Sequence, residues 1–236
     1  MTAPAQPNRP APMARAFFAR PVLDVARELL GCELTHAGVS LRITETEAYA
    51  GGRDPAARVL SRETRHNAPV FGAAGHLFVY FTYGHHWMAC IVTGRVGEPD
   101  VVLLRAGEVL AGEADVRRRR GRARERDWCR GPGRLAQAMA LTGAHSGLDF
   151  CRPSVGHPAD LVVANPPRPV ASDAVRTGPR VGVRGPGGDG THYPWRFWLA
   201  DEPSVSAYRA APHRPATTRA APRPTEAGSA RHPGPA

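Results

Sequence analysis

The segment 39–49 constrains the fold of this chain more than any other, because its side chains alternate as in a β-strand. Alternate residues of a strand share a face. The odd-numbered positions begin apolar and then carry two carboxylates and a phenol ring: Val39, Leu41, Ile43, Glu45, Glu47 and Tyr49. A carboxylate on a core-facing position is costly unless it is paired or hydrogen-bonded, and such groups cluster at functional sites. Two interpretations stay open. The strand delivers Glu47 to an active site, or it leaves the core and its glutamates are ordinary surface residues.

The two ends of the chain differ in composition from its middle. Residues 1–15 are mostly Pro, Ala and polar residues, and residues 209–236 are rich in Pro, Ala and Arg with almost no large apolar side chains. Neither end can bury enough surface to offset the entropy lost on ordering. We therefore predict a disordered arm over 1–15, one folded domain over 16–208 and a disordered tail over 209–236.

The chain is strongly basic, with a formal net charge of +10 and a sequence pI of about 10.6. Such a charge favours a polyanionic partner, nucleic acid first and a membrane surface second. A run of seven arginines between residues 117 and 126 lies inside the predicted domain. This run is typical of a solvated helix face and less often of a binding surface.

All 31 Lys and Arg residues are arginine, so no lysine side chain can act as an amine nucleophile or form a Schiff base. The four cysteines, Cys32, Cys90, Cys129 and Cys151, are far apart, and we predict no metal site and a reducing compartment. There is no apolar signal sequence and no apolar run long enough to span a bilayer. We therefore expect a cytoplasmic protein.

The order of strand and helix signals predicts an antiparallel meander rather than a βαβ series. The predicted strands are 32–35, 39–49, 76–83, 87–93 and 101–105, and the predicted helices are 22–30, 108–126 and one that opens at Gly131-Pro132. The segment 51–74 between two strands reads as a long loop, and a loop of this length inside a domain is usually functional.

The run 78–84 is aromatic and ends at Gly84. Tyr80 and Tyr83 have opposite parity and so point to opposite faces of a strand, and a turn at Gly84 would present Tyr83 to the outside. Aromatic residues are common in strands and at their ends. Taken alone, this run is therefore also compatible with a purely structural role.

Four runs in this order resemble the alkyladenine (3-methyladenine) DNA glycosylase family: Glu45 to Tyr49, Gly75 to Gly84, Val102 to Ala106 and Gly131 to Leu135. Later runs, 178–183 and 194–197, fit as well, so the resemblance covers about residues 16–208. It implies one α+β domain with a curved, mainly antiparallel sheet, an open barrel like the formyltransferase C-terminal domain, surrounded by helices.

The resemblance also implies an activity and a set of site residues. Glu47 matches the catalytic carboxylate that activates water, and Arg105 matches an arginine that keeps it ionised. Tyr49 and Tyr80 match the aromatic walls of a base pocket. Tyr83 matches the side chain that fills the hole left in duplex DNA by a flipped nucleotide. A surface arginine at a strand end remains an alternative for Arg105.

Contacts to DNA phosphates are expected from Arg134, Gly133 and His85, although a plain surface role for Arg134 fits almost as well. The implied reaction is hydrolysis of the N-glycosidic bond of alkylated or deaminated purines in double-stranded DNA. It needs no cofactor and no metal, and without a lysine it leaves an abasic site uncut for base excision repair. We expect a monomer associated with the bacterial nucleoid.

Two positions depart from the family pattern, and both concern the base pocket. Arg58 stands where the family typically has a histidine, and Cys90 stands where it has an asparagine that helps to exclude guanine. A fixed cation at Arg58 would repel a cationic base unless it turns toward the phosphates. These departures motivate an alternative function, a non-catalytic protein that binds damaged DNA or structured RNA on the same scaffold.

Overall fold

A single open sheet of eight strands organises the protein, in a computed structural model that describes residues 11–57, 60, 62–152 and 161–212. Its strands are β1 (Glu33–His36), β2 (Val39–Ala50), β3 (Leu77–Thr82), β4 (His86–Thr93), β5 (Asp100–Ala111), β6 (Val162–Ala164), β7 (Val175–Gly178) and β8 (Arg196–Leu199). The order is β3-β4-β5-β2-β1-β6, β8 pairs with β2 and β7, and every pairing between these strands is antiparallel. The predicted α+β class with a curved, mainly antiparallel sheet is confirmed.

In the part of the chain that the structure describes, four short α-helices accompany the sheet: α1 (Arg15–Phe18), α2 (Val22–Glu28), α3 (Glu113–Arg120) and α4 (Pro132–Ala138). The predicted apolar stripe of α2 is buried in the main core, including Val25 and Leu29. The chain leaves this helix through Gly31 at φ +82°, a conformation that glycine adopts without a steric penalty. α4 begins at Pro132, as the sequence predicted.

The predicted basic helix over 108–126 is wrong in its bounds. Residues 108–111 continue β5, because they pair with residues 40–42 of β2. The helix α3 covers only Glu113–Arg120, and Gly121 ends it with φ +58°. Several of its arginines bond within the protein: Arg119, for example, donates to the carbonyls of Ala138 and Ala37 at 2.7 and 3.1 Å.

A double irregularity in the central strand pair reverses which side chains face the core. Thr44 in β2 and Arg105 in β5 have no opposite residue in the register. Before this point Ile43 packs in the main core, and after it Ala48 does. Glu47 therefore shares the opposite face with Tyr49, whose ring packs on a second apolar cluster. The sequence prediction that Glu47 continues the face of Val39, Leu41 and Ile43 is wrong, because a β-bulge changes the parity of the strand.

Two described residues just outside the predicted domain, Met13 and Arg209, bond to residues within it. Met13, within the predicted arm, is buried, and its N–H donates to the carbonyl of Val163 at 2.8 Å. Gly182 donates its N–H to the carbonyl of Arg209 at 2.9 Å, just inside the predicted tail. Within the described ranges, no helix has the length and apolar character needed to cross a membrane.

Candidate active site

One row of residues across four strands connects Glu47 to a cavity. Glu47 lies opposite Leu103, Leu103 opposite Cys90, and Cys90 opposite Phe78. The cavity beside this row has a volume of about 540 Å³, and its walls include both predicted pocket tyrosines, Tyr49 and Tyr80. We call it the base cavity, after the role that the resemblance predicts for these two tyrosines. Its floor is the second apolar cluster, which includes Phe78, Cys90 and Leu103.

Glu47 is fully buried, and each oxygen of its carboxylate has a partner. Oε1 accepts the backbone N–H of Val181 at 2.7 Å and lies 3.3 Å from Nη1 of Arg105. Oε2 accepts the hydroxyl of Tyr49 at 2.8 Å. Oε2 bonds to no other group among the described residues, so it keeps capacity to accept a second hydrogen bond. The Tyr49 hydroxyl therefore connects Oε2 to a residue that lines the cavity.

Glu45 holds Arg105 in place behind Glu47. Arg105 donates Nε to Oε1 of Glu45 at 2.9 Å, and Arg196 donates to the same oxygen at 2.6 Å. Ser206 donates its backbone N–H to Oε2 of Glu45 at 2.8 Å and its hydroxyl to Oε1 at 2.9 Å. Burial opposes ionisation of Glu45, but the Arg105 and Arg196 guanidiniums outweigh it and lower the pKa of this carboxyl. The partner of Arg105 is therefore a fixed anion.

Arg105 is likewise held in its charged form. Its burial works to lower its pKa, but the carboxylates of Glu47 and Glu45 outweigh this effect and raise the pKa of Arg105. The alternative of a solvent-exposed arginine does not apply, because the residue is 5% exposed.

The two pocket tyrosines are oriented by different neighbours. The Tyr49 ring lies 4.6 Å from the guanidinium carbon of Arg180, a cation–π contact. Burial, then the charge of Glu47 and the hydrogen bond to it, raise the pKa of Tyr49, so its phenol stays protonated and donates. The Tyr80 ring stacks on Phe78 with centroids 5.5 Å apart and planes at 21°. Together these rings give the base cavity aromatic surfaces.

An ion pair beneath the site escaped the sequence analysis. Arg180 and Asp54 are both fully buried and form two bonds of 2.5 and 2.8 Å. Arg180 also donates to the carbonyls of Ala48 and Gly187, each at 2.8 Å. The pair thus ties the loop after β2 to the segment that supplies the Val181 N–H. An Asp and an Arg that are 126 positions apart form no pattern that a sequence can display.

Tyr83 stands at the tip of the β3–β4 hairpin. It is 77% exposed and has φ +54°, followed by Gly84 at φ +73°. The backbone N–H of His85 donates to the carbonyl of Thr82 at 3.3 Å and closes the turn. A residue with a side chain costs about 1–2 kcal/mol in this left-handed conformation, and such strain is found at functional sites. The hairpin presents the Tyr83 ring to solvent.

The predicted phosphate contacts lie near the turn of the same hairpin. Gly133 packs under His86 so closely that a Cβ there would come within 2.9 Å of the imidazole ring. Arg134 is half exposed, with Nη1 3.6 Å from Asp127. Burial lowers the pKa of His86, and the neighbouring His85, Arg120 and Arg134 lower it further. His85 is itself exposed. The structure therefore collects basic groups beside Tyr83.

Of the two departures from the family pattern, Cys90 lies among the described residues and Arg58 does not. Cys90 lies buried on the floor of the base cavity, and burial followed by the charge of Glu47 raises the pKa of its thiol, so the group is a neutral thiol. Arg58 lies outside the described residues. No group of three or more His, Cys, Asp or Glu side chains that could hold a metal ion occurs in the part of the chain that the structure describes.

The comparison with protein-family models matches residues 16–203 to the family described as methylpurine-DNA glycosylase (MPG). A protein of Streptomyces avermitilis is 44% identical over 220 residues, which cover 91% of this chain and 99% of the relative. A protein of Frankia casuarinae is 45% identical over 212 residues, with 87% and 96% covered. Both relatives bear the name "Putative 3-methyladenine DNA glycosylase". The resemblance predicted from the motifs is confirmed, and the chain belongs to the methylpurine-DNA glycosylase family.

Proposed function

We propose that this protein is a monofunctional DNA glycosylase that removes alkylated or deaminated purines, of the 3-methyladenine type, from duplex DNA. The observation that carries the proposal is the carboxylate of Glu47, buried beside an aromatic cavity and held by Arg105 and the Val181 N–H. A carboxylate held in position, with capacity to accept a further hydrogen bond, is the group that general-base activation of water requires.

The substrate base must leave the helix before it can reach this site. Enzymes that act on a base inside a duplex extrude the nucleotide, and an apolar side chain inserted between base steps offsets the lost stacking. The exposed Tyr83 ring at the hairpin tip suits this insertion. The flipped purine then enters the base cavity between the Tyr49 and Tyr80 rings, while Arg134, the Gly133 backbone and His85 contact the phosphates.

Chemistry follows at C1′ of the deoxyribose. Water donates a hydrogen bond to Oε2 of Glu47 and attacks C1′ as the bond from C1′ to the base breaks, through a transition state like an oxocarbenium ion. Glu47 takes the proton, and the base leaves with the bonding electrons. An alkylated purine is already cationic, so it leaves as a neutral base without an added proton. The product is an abasic site, the intermediate that base excision repair processes.

The lack of lysine supports a glycosylase that does not also cut the strand. Strand cleavage after base removal uses an amine nucleophile that forms a Schiff base with the sugar. The guanidinium of arginine stays protonated and cannot supply that nucleophile.

The test of the proposed function is base release by the full chain. Duplex DNA containing 3-methyladenine, 7-methylguanine or hypoxanthine is incubated with the protein, and released base is quantified by chromatography. We expect release of at least one of these bases and an intact strand that breaks on alkali treatment. Binding of the damaged duplex without release of any base would instead establish the alternative, a non-catalytic protein that binds damaged nucleic acid.

Replacing Tyr83 with Ser is expected to weaken binding to a duplex that contains a lesion. Loss of an aromatic ring that stacks on a base costs roughly 1–3 kcal/mol, which corresponds to about a 5- to 150-fold rise in Kd. The measurement is fluorescence anisotropy with the lesion duplex and the matching undamaged duplex. Tyr208→Ser is the matched control, because Tyr208 is exposed but lies in the C-terminal segment. Equal affinity of Tyr83→Ser and wild type would contradict the insertion role.

A further inference from the structure

A second cavity continues from the base cavity across the β3 edge of the sheet. Its volume is about 620 Å³. We call it the flanking groove and define it by Arg65, His66, Tyr80, Phe81 and Trp87. Tyr80 and His66 also line the base cavity, so the two cavities meet at these side chains. The proposed function uses only the first of them.

The wall of the flanking groove is an aromatic pair in which one ring is exposed and the other is partly buried. Phe81 in β3 lies opposite Trp87 in β4, with ring centroids 4.8 Å apart. Phe81 is 52% exposed, and three of the exposed aromatic side chains among the described residues fall within the four positions 80–83. A phenylalanine ring that is half exposed beside an inserting tyrosine and a base cavity has apolar surface available for stacking.

The rim of the groove is basic. Arg65 is exposed and takes part in none of the ion pairs between described residues, so its charge is not neutralised by a carboxylate there. Its Nε donates to Nε2 of His66 at 3.1 Å, which places the pair side by side at the junction of the two cavities. Aromatic rings that alternate with a cation form the platform on which proteins stack unpaired bases and hold phosphates.

We propose that the flanking groove binds the nucleotide next to the flipped one on the same strand, with its base stacked on Phe81 and Trp87 and its phosphate near Arg65. The same strand is required because the cavities share Tyr80 and His66, so a chain that leaves one enters the other directly. This inference rests on the proposed function for the position of the flipped nucleotide. The flanking groove thus holds a second nucleotide, next to the flipped one, that is also removed from the base stack of the DNA.

The proposal separates the roles of two neighbouring rings. Tyr83 fills the gap that a flipped nucleotide leaves in a duplex, and a single strand has no such gap. The flanking groove, in contrast, can bind either form of DNA. Phe81→Ala should therefore raise the Kd for a single-stranded oligonucleotide by about 5- to 150-fold. Tyr83→Ser should leave that Kd within about twofold while weakening duplex binding.

The experiment uses the full chain and a short oligonucleotide with an abasic analogue at its centre. The fluorescent base 2-aminopurine is placed directly 5′ or 3′ of the analogue, since stacking on an aromatic ring quenches it. We expect quenching at one of the two positions with wild type and not with Phe81→Ala. Leu110→Ala, a similarly exposed residue on β5, is the control and should behave as wild type. A thermal melt of each variant verifies folding, and Phe81→Leu keeps the apolar volume if Phe81→Ala is unstable.

Two results would overturn the proposal. One is wild-type protein that quenches 2-aminopurine at neither position, and the other is unchanged quenching and affinity in both Phe81 variants. Failure of the proposed function is distinct from these, because it concerns base release and not 2-aminopurine. If the protein releases no base but quenches 2-aminopurine in a way that depends on Phe81, the proposed groove stands and the proposed enzyme function does not.

Discussion

Replacing Glu47 with Gln is expected to lower the single-turnover rate of base release by about 10²- to 10⁴-fold, the contribution of a positioned general base. The amide has nearly the shape of the carboxylate but cannot take a proton from water. Arg105 keeps a carboxylate partner in Glu45, with its Nε 2.9 Å from Oε1, so the variant should still fold. Base release from a lesion duplex at saturating enzyme measures the chemical step.

The control for this prediction is Glu108→Gln, which removes a half-exposed glutamate on β5 from an ion pair with Arg42. That variant should release base at the wild-type rate. Affinity for a duplex with an abasic analogue should change little in Glu47→Gln, because the inserting and stacking rings are intact. Equal rates of release in Glu47→Gln and wild type would show that another group activates the water.

The second large effect is expected on stability, from Asp54→Asn. Arg180 would then be a fully buried cation without an anion, and breaking a buried pair by removing one partner costs about 3–5 kcal/mol. The free energy of unfolding in urea measures this loss. Tyr49 contacts the same guanidinium at 4.6 Å, so the base cavity should also lose part of its support.

A double variant separates the charge from the packing. Arg180→Met combined with Asp54→Asn removes both charges and keeps an unbranched side chain of similar length, so it should recover part of the stability lost in Asp54→Asn. Asp189→Asn is the control, because Asp189 pairs with His192 on the surface and its loss should leave stability unchanged. A single Asp54→Asn variant as stable as wild type would mean that Arg180 finds other compensation.

The alternation of residues 39–49 predicted a strand, and the aromatic run before Gly84 predicted a second strand and its turn. Both are local signals, since a strand period and a glycine in a turn depend on neighbouring residues alone. The same local signals misjudged the helix after β5, because pairing with β2 extends that strand through Ala111. Tertiary pairing overrides local propensity when it satisfies more backbone hydrogen bonds.

The sequence by itself determined which residues could carry chemistry: it singled out Glu47, the three tyrosines and Arg105, and it excluded an amine nucleophile on a lysine. Only the tertiary structure decided how Glu47 is presented. The bulge at Thr44 and Arg105 turns Glu47 away from the main core. The Val181 N–H binds its carboxylate, and the ion pairs of Glu45 with Arg105 and of Asp54 with Arg180 fix the groups around it. These contacts join residues up to 134 positions apart, and such distances in sequence leave no periodic trace. Their free energy exists only once the sheet has brought the segments together.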